Sequence, residues 1–189
     1  MLNWDELKQV CQICQACPLC KNRTNMVFGT GNPQAEIMCI GEGPGQQEDL
    51  TGLPFVGPAG ILLDKMLSVI GLSREKNVYI ANIVKCRPPH NRDPLPEEQE
   101  ACIGYLRNQV ALIKPKIIVC LGRIAAMRII SSDFKITKDH GIFYQRGAFI
   151  LTALYHPSAL LRDPSKKQDT FMDLKKLEHE IKTLCKHTY

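Results

Sequence analysis

Four cysteines fall at three-residue intervals near the start of the chain: Cys11, Cys14, Cys17 and Cys20. They form three successive C-x-x-C pairs, with Pro18 directly after Cys17. Thiolates at this density bind metal; one C-x-x-C is a modest signal, and three overlapping ones are a strong one. The chain has 9 cysteines in all, and in a reducing compartment clustered thiols act more often as ligands than as disulfides. Two ligand sets are open. One is the local four. The other takes one C-x-x-C from the run and two distant thiols, of which Cys86 and Cys102 are the best pair, because they bracket a proline-rich loop and lie outside strand interiors. Cys39 and Cys120 sit within apolar runs and read as buried structural thiols. Cys185 reads as incidental. Zinc accepts four thiolates as readily as a [4Fe–4S] cluster does, so spacing alone leaves the metal open.

A second set of candidates is spread along the chain. Gly41-Glu42-Gly43-Pro44-Gly45 follows a short apolar run, and glycine lets the backbone approach a ligand closely. The stretch lacks the Lys-Ser/Thr pair of a P-loop, which disfavours nucleoside triphosphates. Further on, Phe55 in Pro54-Phe55-Val56-Gly57 offers a ring that can stack on a planar base, although core packing is the commoner use of a single phenylalanine. Asn82 closes another apolar run. Its carboxamide sets a donor beside an acceptor, which pairs with N3–H and O4 of uracil and mismatches cytosine; turn capping is the plain alternative. His156, before Pro157, could donate a hydrogen bond to a leaving group. Glu42 and Glu48 supply carboxylates.

These residues need elements to position them. Residues 3–10 have the pattern of a short amphipathic helix with Asn3 as N-cap. Apolar runs at 36–40, 77–84 and 116–121 read as buried strands, and 142–144 with 148–154 as a late strand pair. Helical spacing covers 59–70, 97–113, 124–130 and 170–185. Strands alternating with helices predict a three-layer α/β/α sandwich around a central, mainly parallel four-stranded sheet, with residues 1–189 forming one domain. In such folds ligands sit at the carboxyl ends of the strands. The loops 41–57, 82–96 and 156–162 all occupy that edge.

Composition sets the outer bounds. A chain of 189 residues with 44% hydrophobic and 23% charged residues is ordinary globular material. A net charge of +5 permits a polyanionic partner without requiring one. No apolar stretch reaches the length of a membrane span and no signal peptide is evident, so the expectation is a cytoplasmic protein, monomeric and without a membrane partner.

Taken in order, Gly41-Glu42-Gly43-Pro44-Gly45, Thr51-Gly52-Leu53-Pro54-Phe55-Val56-Gly57, Asn82-Ile83-Val84-Lys85-Cys86-Arg87-Pro88-Pro89 and His156-Pro157-Ser158 resemble the motifs of the family 4 uracil-DNA glycosylases, the iron–sulfur branch of that superfamily. The resemblance runs from about Cys14 to Arg162. It implies an enzyme that flips uracil out of single- or double-stranded DNA and hydrolyses its N-glycosidic bond, leaving an abasic site. It also implies a [4Fe–4S] cluster on Cys14, Cys17, Cys86 and Cys102, tying the N-terminal segment to the loop after Asn82. Cys11 and Cys20 are additions to the plainest family pattern.

The resemblance assigns roles as well. Phe55 stacks on the extruded base, Asn82 reads its edge, and the backbone at Gly41 and Gly43 helps hold the carbonyls. His156 faces O2, where charge grows as uracil leaves. Gly43 stands where better-known relatives carry an aspartate, so Glu42 becomes the candidate base or oxocarbenium stabiliser. Glu48 is expected near the face where thymine carries its methyl group. Leu160 or Leu161 would fill the gap in the duplex and Arg162 would meet phosphate, with Arg87, Arg92, Lys166 and Lys167 as further phosphate contacts. Two other readings stand beside this one: a non-catalytic DNA- or polymerase-associated module, and an electron carrier built on the ferredoxin-like cysteine run. A covalent adduct through His90 is a remote variant.

Overall fold

The structure, a computed structural model, describes residues 2–189. One sheet organises it. Its strands are β1 (Thr30–Gly31), β2 (Ile37–Gly41), β3 (Val78–Asn82), β4 (Ile117–Leu121), β5 (Tyr144–Arg146) and β6 (Phe149–Leu154), in the spatial order β1-β3-β2-β4-β6-β5. The sheet therefore has six strands and is mixed, not the four-stranded sheet expected. β3, β2, β4 and β6 run parallel at its centre, and β1 and β5 pair antiparallel at the two edges. β1 is two residues long, too short to show a period of two in sequence, and β5 is the first of the expected late strand pair, set two residues later than the 142–144 of the sequence reading.

The parallel strands are buried along their whole length in β2, β3 and β4, which is why they read as unbroken apolar runs. Alternate side chains feed two cores. Met38, Ile40, Tyr79, Ala81, Ile118 and Cys120 meet Ile103 and Leu106 of helix α4 (Pro96–Ile113) and Ala125 and Ala126 of α5 (Arg123–Ile129). Ile37, Cys39, Val78, Ile80, Ile117 and Val119 meet Leu63 and Leu67 of α3 (Pro58–Ser68) and Leu174, Leu177 and Ile181 of α8 (Lys167–Leu184). Helices cover both faces, as the alternation of elements predicts.

Helix α1 (Trp4–Gln12) is capped by Asn3, which accepts from Glu6 N while Glu6 accepts from Asn3 N. Leu7 and Cys11 turn inward from it against Phe28. Two short helices fall in segments the sequence reads as loops, α2 (Gln46–Thr51) and α7 (Pro157–Arg162), and a third, α6 (Ile136–Asp139), in a stretch to which it assigns no element. Each has six residues or fewer, less than two turns, so no apolar period can announce them. Among the described residues no helix is long and apolar enough to cross a membrane.

After β2 the chain passes through α3 to β3 on one side, then crosses through α4 to β4 on the other. The connections therefore diverge around β2, and a crevice opens at its carboxyl end.

Candidate functional site

That crevice is a cleft of about 480 Å³. Glu42 enters from the loop after β2, Asn82 from the end of β3, Gly122 and Arg123 from beyond β4, and Tyr155 and His156 from beyond β6. Phe55, Glu48 and the 43–45 backbone close one wall. The sequence candidates Glu42, Gly43, Glu48, Phe55, Asn82, His156 and Arg162 all line this one space.

Asn82 is 1% exposed, and its carboxamide Oδ1 is buried without a hydrogen-bond partner. A buried acceptor left unpaired costs roughly 1–3 kcal/mol, and in a residue that lines a cleft it is a candidate partner for a ligand donor. Gly41 pairs with Asn82 in register across β2 and β3. A Cβ at Gly41 would stand 2.5 Å from Asn82 Oδ1 and 2.6 Å from the Phe55 ring. The absence of a side chain there lets the amide and the ring share the floor of the cleft.

Phe55 lies with its ring centroid 5.6 Å from that of His156, tilted by 34°. Its backbone is in the left-handed region, φ 54°, which is uncommon for an aromatic residue. Glu48 explains how the neighbouring segment is held: Oε1 accepts from Val56 N (2.8 Å) and Gly57 N (2.9 Å), and Oε2 from Gly45 N (3.1 Å). The Glu48 carboxylate thus laces the two loops of the wall together.

His156 caps α7. Its Nδ1 accepts from Ser158 N at 3.2 Å and lies 2.7 Å from Ser158 Oγ. With Nδ1 an acceptor, the ring proton sits on Nε2. Burial, aided by the Arg162 cation, lowers the imidazole pKa to about 4. The ring is therefore a neutral N–H donor at neutral pH. Glu42 moves the other way: burial first, then the neighbouring Asp93 carboxylate, raises it above the usual range, against the pull of Arg123 and Arg162. Gly43 carries no side chain for a packing reason, since a Cβ there would stand 2.8 Å from Val84 Cγ2.

The rim is basic and partly paired. Arg92 forks onto Glu98 at 2.7 and 2.8 Å, and Arg123 meets Asp93. Leu161 is 48% exposed on α7, whereas Leu160 is 1% exposed and packed in the core beneath. Of the two leucines expected to enter a duplex gap, Leu160 is committed to the core and only Leu161 is free to do so.

The cysteines gather in a second hollow, lined by Cys11, Cys14, Cys17, Cys20, Cys86 and Cys102. All are free thiols. Three of them accept N–H bonds: Cys86 from Arg23 Nη1 (3.3 Å), Cys102 from Lys85 N (3.3 Å) and Cys14 from Ala16 N (3.5 Å). Cys11 points instead at Met26 Sδ, 3.5 Å away. Burial pushes the Cys102 thiol up to about 11 and Cys11 up to about 12, and raises Cys17 and Cys86. Such thiols stay protonated until a metal displaces the proton. Among the described residues no three His, Cys, Asp or Glu side chains converge as the ligands of a single ion must. A tetranuclear cluster asks for something else, one thiolate per iron around a larger body, and the ring of thiols around this hollow fits that demand. Cys39 and Cys120 are buried on opposite faces of the sheet, away from the hollow.

Lys85 lies between the two sites. It is fully buried; Nζ donates to Asn82 O (3.0 Å) and Gln109 Oε1 (2.7 Å), and burial pulls its pKa down to about 8. Neither it nor Arg74, Tyr155, Asp93 and Arg123 stood out in the sequence. Only Arg123, directly after the glycine that closes β4, carried a positional signal.

A profile described as "Uracil DNA glycosylase superfamily" matches residues 28–178. The chain is 48% identical over 165 residues to a type-4 uracil-DNA glycosylase of Archaeoglobus fulgidus, covering 83% of this chain and 82% of the relative. It is 46% identical to that of Thermotoga maritima, with 85% of each covered. It is 42% identical to that of Sulfurisphaera tokodaii, covering 97% of this chain and 89% of the relative.

Proposed function

We infer that this chain, which belongs to the uracil-DNA glycosylase superfamily, is itself a uracil-DNA glycosylase: a DNA-repair hydrolase that cuts the bond between uracil and its deoxyribose. The observation that carries the reading is Asn82, whose carboxamide lines a cleft shared with an aromatic ring and a neutral imidazole and whose buried Oδ1 has no partner within the protein.

Uracil in a duplex is out of reach, so the nucleotide is first extruded into the cleft. The base lies against Phe55. Asn82 Oδ1 accepts from uracil N3–H while its amide donates to O4; cytosine presents the opposite pattern and leaves both groups unmatched. The fit at Gly41 supports this placement, and the Gly43 backbone lies within reach of the base carbonyls. His156 donates Nε2–H to O2. As C1′–N1 breaks, its electron pair goes to uracil and charge collects on that oxygen; a donor aimed there is worth roughly 3 kcal/mol. A neutral imidazole can fill this role, because its Nε2–H donates to the anion while the proton stays on the ring.

Water then bonds to C1′ on the opposite side. Glu42 is the carboxylate in the cleft free to take its proton or to stabilise the positive sugar. The packing of Gly43 on Val84 supports this assignment, since the residue that could otherwise carry the acid has no room for one. Glu48, with three backbone N–H groups on its carboxylate, shapes the wall that faces the base, and exclusion of the thymine methyl there depends on that wall staying rigid. Arg162, Arg92 and Arg87 meet the phosphates.

The cysteine hollow is suited to a [4Fe–4S] cluster on Cys14, Cys17, Cys86 and Cys102. Such a cluster would supply a rigid crosslink between the N-terminal segment, the loop after Asn82 and α4. Arg23 and Lys85 bring positive charge toward that anionic group. We take residues 1–189 to work as one domain and as a monomer. An intact cleft favours an enzyme over a non-catalytic module or an electron carrier.

The test uses an oligonucleotide with a single uracil, followed by alkaline cleavage of abasic sites, beside a thymine control. Cleavage at uracil alone, lost in Asn82→Ala, is the expected result. No cleavage by protein that retains its metal would overturn the reading.

A further inference from the structure

We propose that Arg74 is a positioning residue for base recognition, holding the Phe55 ring in stacking position by clamping the backbone that bears it. The proposal rests on the reading of the cleft as a uracil pocket.

Phe55 stands at φ 54°. A bulky residue keeps such a conformation only where its surroundings over-determine it. Arg74 supplies the main constraint: Nη1 donates to Pro54 O at 2.9 Å and Nη2 to Phe55 O at 2.8 Å. Its third edge is held by helix α3, where Nε donates to Asp64 Oδ1 at 2.9 Å. One planar cation therefore ties two successive carbonyls to a helix. From the other side, Glu48 holds the next two amides, Val56 N and Gly57 N. Gly60 completes the seat. A Cβ there would stand 1.8 Å from Phe55 O, so α3 meets that carbonyl with bare backbone.

Arg74 does not line the cleft, and its side chain is only 13% exposed. It has no route to the substrate except through Phe55. The geometry also needs an arginine. The planar fork of the guanidinium reaches two carbonyls and a carboxylate at once, whereas a lysine ammonium offers a point charge without the fork. Without the clamp, two carbonyls lose their donors, Phe55 relaxes toward negative φ, and its ring leaves both the base site and the flank of His156.

The test measures kcat and KM on the uracil oligonucleotide for the wild type, Arg74→Ala, Arg74→Lys, Phe55→Ala and the Arg74→Ala/Phe55→Ala double variant. Each is assayed at a temperature where circular dichroism shows it folded. Loss of a base–aromatic stack predicts a fall in kcat/KM of about tenfold for both single alanine variants. Arg74→Lys recovers little. Guanidinium ion at a few millimolar, against a matched sodium chloride control, restores part of the Arg74→Ala activity and none of the Phe55→Ala activity. The double variant is no worse than Phe55→Ala, because the two act as one unit. A merely structural Arg74 would give losses that multiply in the double variant and no guanidinium rescue, and either result overturns the proposal, as does wild-type kcat/KM in Arg74→Ala. Failure of the pocket reading looks different: the wild type itself leaves uracil uncut.

Discussion

The cleft and the cysteine hollow are built from opposite ends of one short segment, since Asn82 faces the first and Cys86 the second. Yet they are completed in different ways. In the cleft the side chains of the proposed reaction are already set by the protein: a neutral imidazole with its proton on Nε2, a carboxylate raised by burial, and an amide oxygen left unpaired. In the hollow, burial pushes up the pKa values of Cys11, Cys17, Cys86 and Cys102. The cleft is pre-organised for a ligand that comes and goes. The hollow has little reason to exist without a ligand that stays, since six cysteines on one small surface are worth less to packing than the aliphatic side chains that could replace them.

The sharpest way to break this contrast is to remove thiols one at a time. Cys86→Ala and Cys102→Ala should lose bound iron and the visible absorbance of a cluster, and with them the anchoring of α1 to α4. Cys11→Ala and Cys20→Ala should keep both. Iron and sulfide per chain, with the visible spectrum, decide it. Full iron in Cys86→Ala, or its loss in Cys20→Ala, would return the local set of four as the ligands.

The cleft should respond in activity and not in folding. His156→Ala should lower kcat by about 100- to 1000-fold through loss of the donor to O2, with the iron content unchanged. Asn82→Ala should lower kcat/KM on a similar scale yet leave the melting temperature unchanged or raise it. The substitution removes a buried, unpaired oxygen, and a group kept for binding at a cost to the fold stabilises the fold when deleted. A large drop in melting temperature would mean that Asn82 is a structural cap.

The sequence exposes the two regions unequally as well. The cysteine run is local in the chain and can be read directly. The cleft is assembled from loops more than a hundred residues apart, and what joined them in the sequence was the rule that ligands sit at the carboxyl ends of parallel strands. That rule brought Glu42, Phe55, Asn82 and His156 to one edge, where the structure has them. It could not separate Leu160 from Leu161, because the six residues of α7 are too few to show which face is buried. Nor could it show that Glu48 spends its oxygens on three amides, or that Arg74 reaches back to Phe55. Such side-chain-to-backbone bonds leave no period in a sequence. The edge strand β1 was hidden for the same reason, being a pairing of backbone over two residues, whereas β5 was legible as the first of the late strand pair and differs only by a two-residue shift.

The pH dependence sharpens the division of labour within the cleft. If Glu42 acts as the ionised form, kcat/KM falls about tenfold per pH unit below its raised pKa, and this acid limb disappears from the residual activity of Glu42→Gln. His156 should add no inflection near 6.5, because its folded pKa of about 4 keeps it neutral there. The same imidazole affects stability. The unfolded chain binds a proton near pH 6.5 that the fold refuses until about 4, so this contribution is complete above 6.5 and is lost as the pH falls toward 4. A rate that drops through pH 6.5 in both wild type and Glu42→Gln would assign the limb to His156 and remove the neutral-donor reading.

The smallest effect belongs to the rim. Leu161 is half exposed while its neighbour Leu160 fills the core against α3 and α8. An alanine at 160 leaves a cavity and should cost about 2–5 kcal/mol of stability; at 161 it should cost almost none. Their effects on DNA should be reversed. A side chain that fills the gap left by an extruded base buries its surface only in the complex with a duplex, so Leu161→Ala should weaken cleavage of duplex uracil by a few-fold, on the order of 1 kcal/mol, and leave single-stranded uracil untouched, where no stack has to be propped open. Paired kcat/KM values on the two substrates isolate that term from general damage to the site. Equal losses on both would place Leu161 at the base pocket, and no loss on either would leave the gap to be filled from another element of the rim.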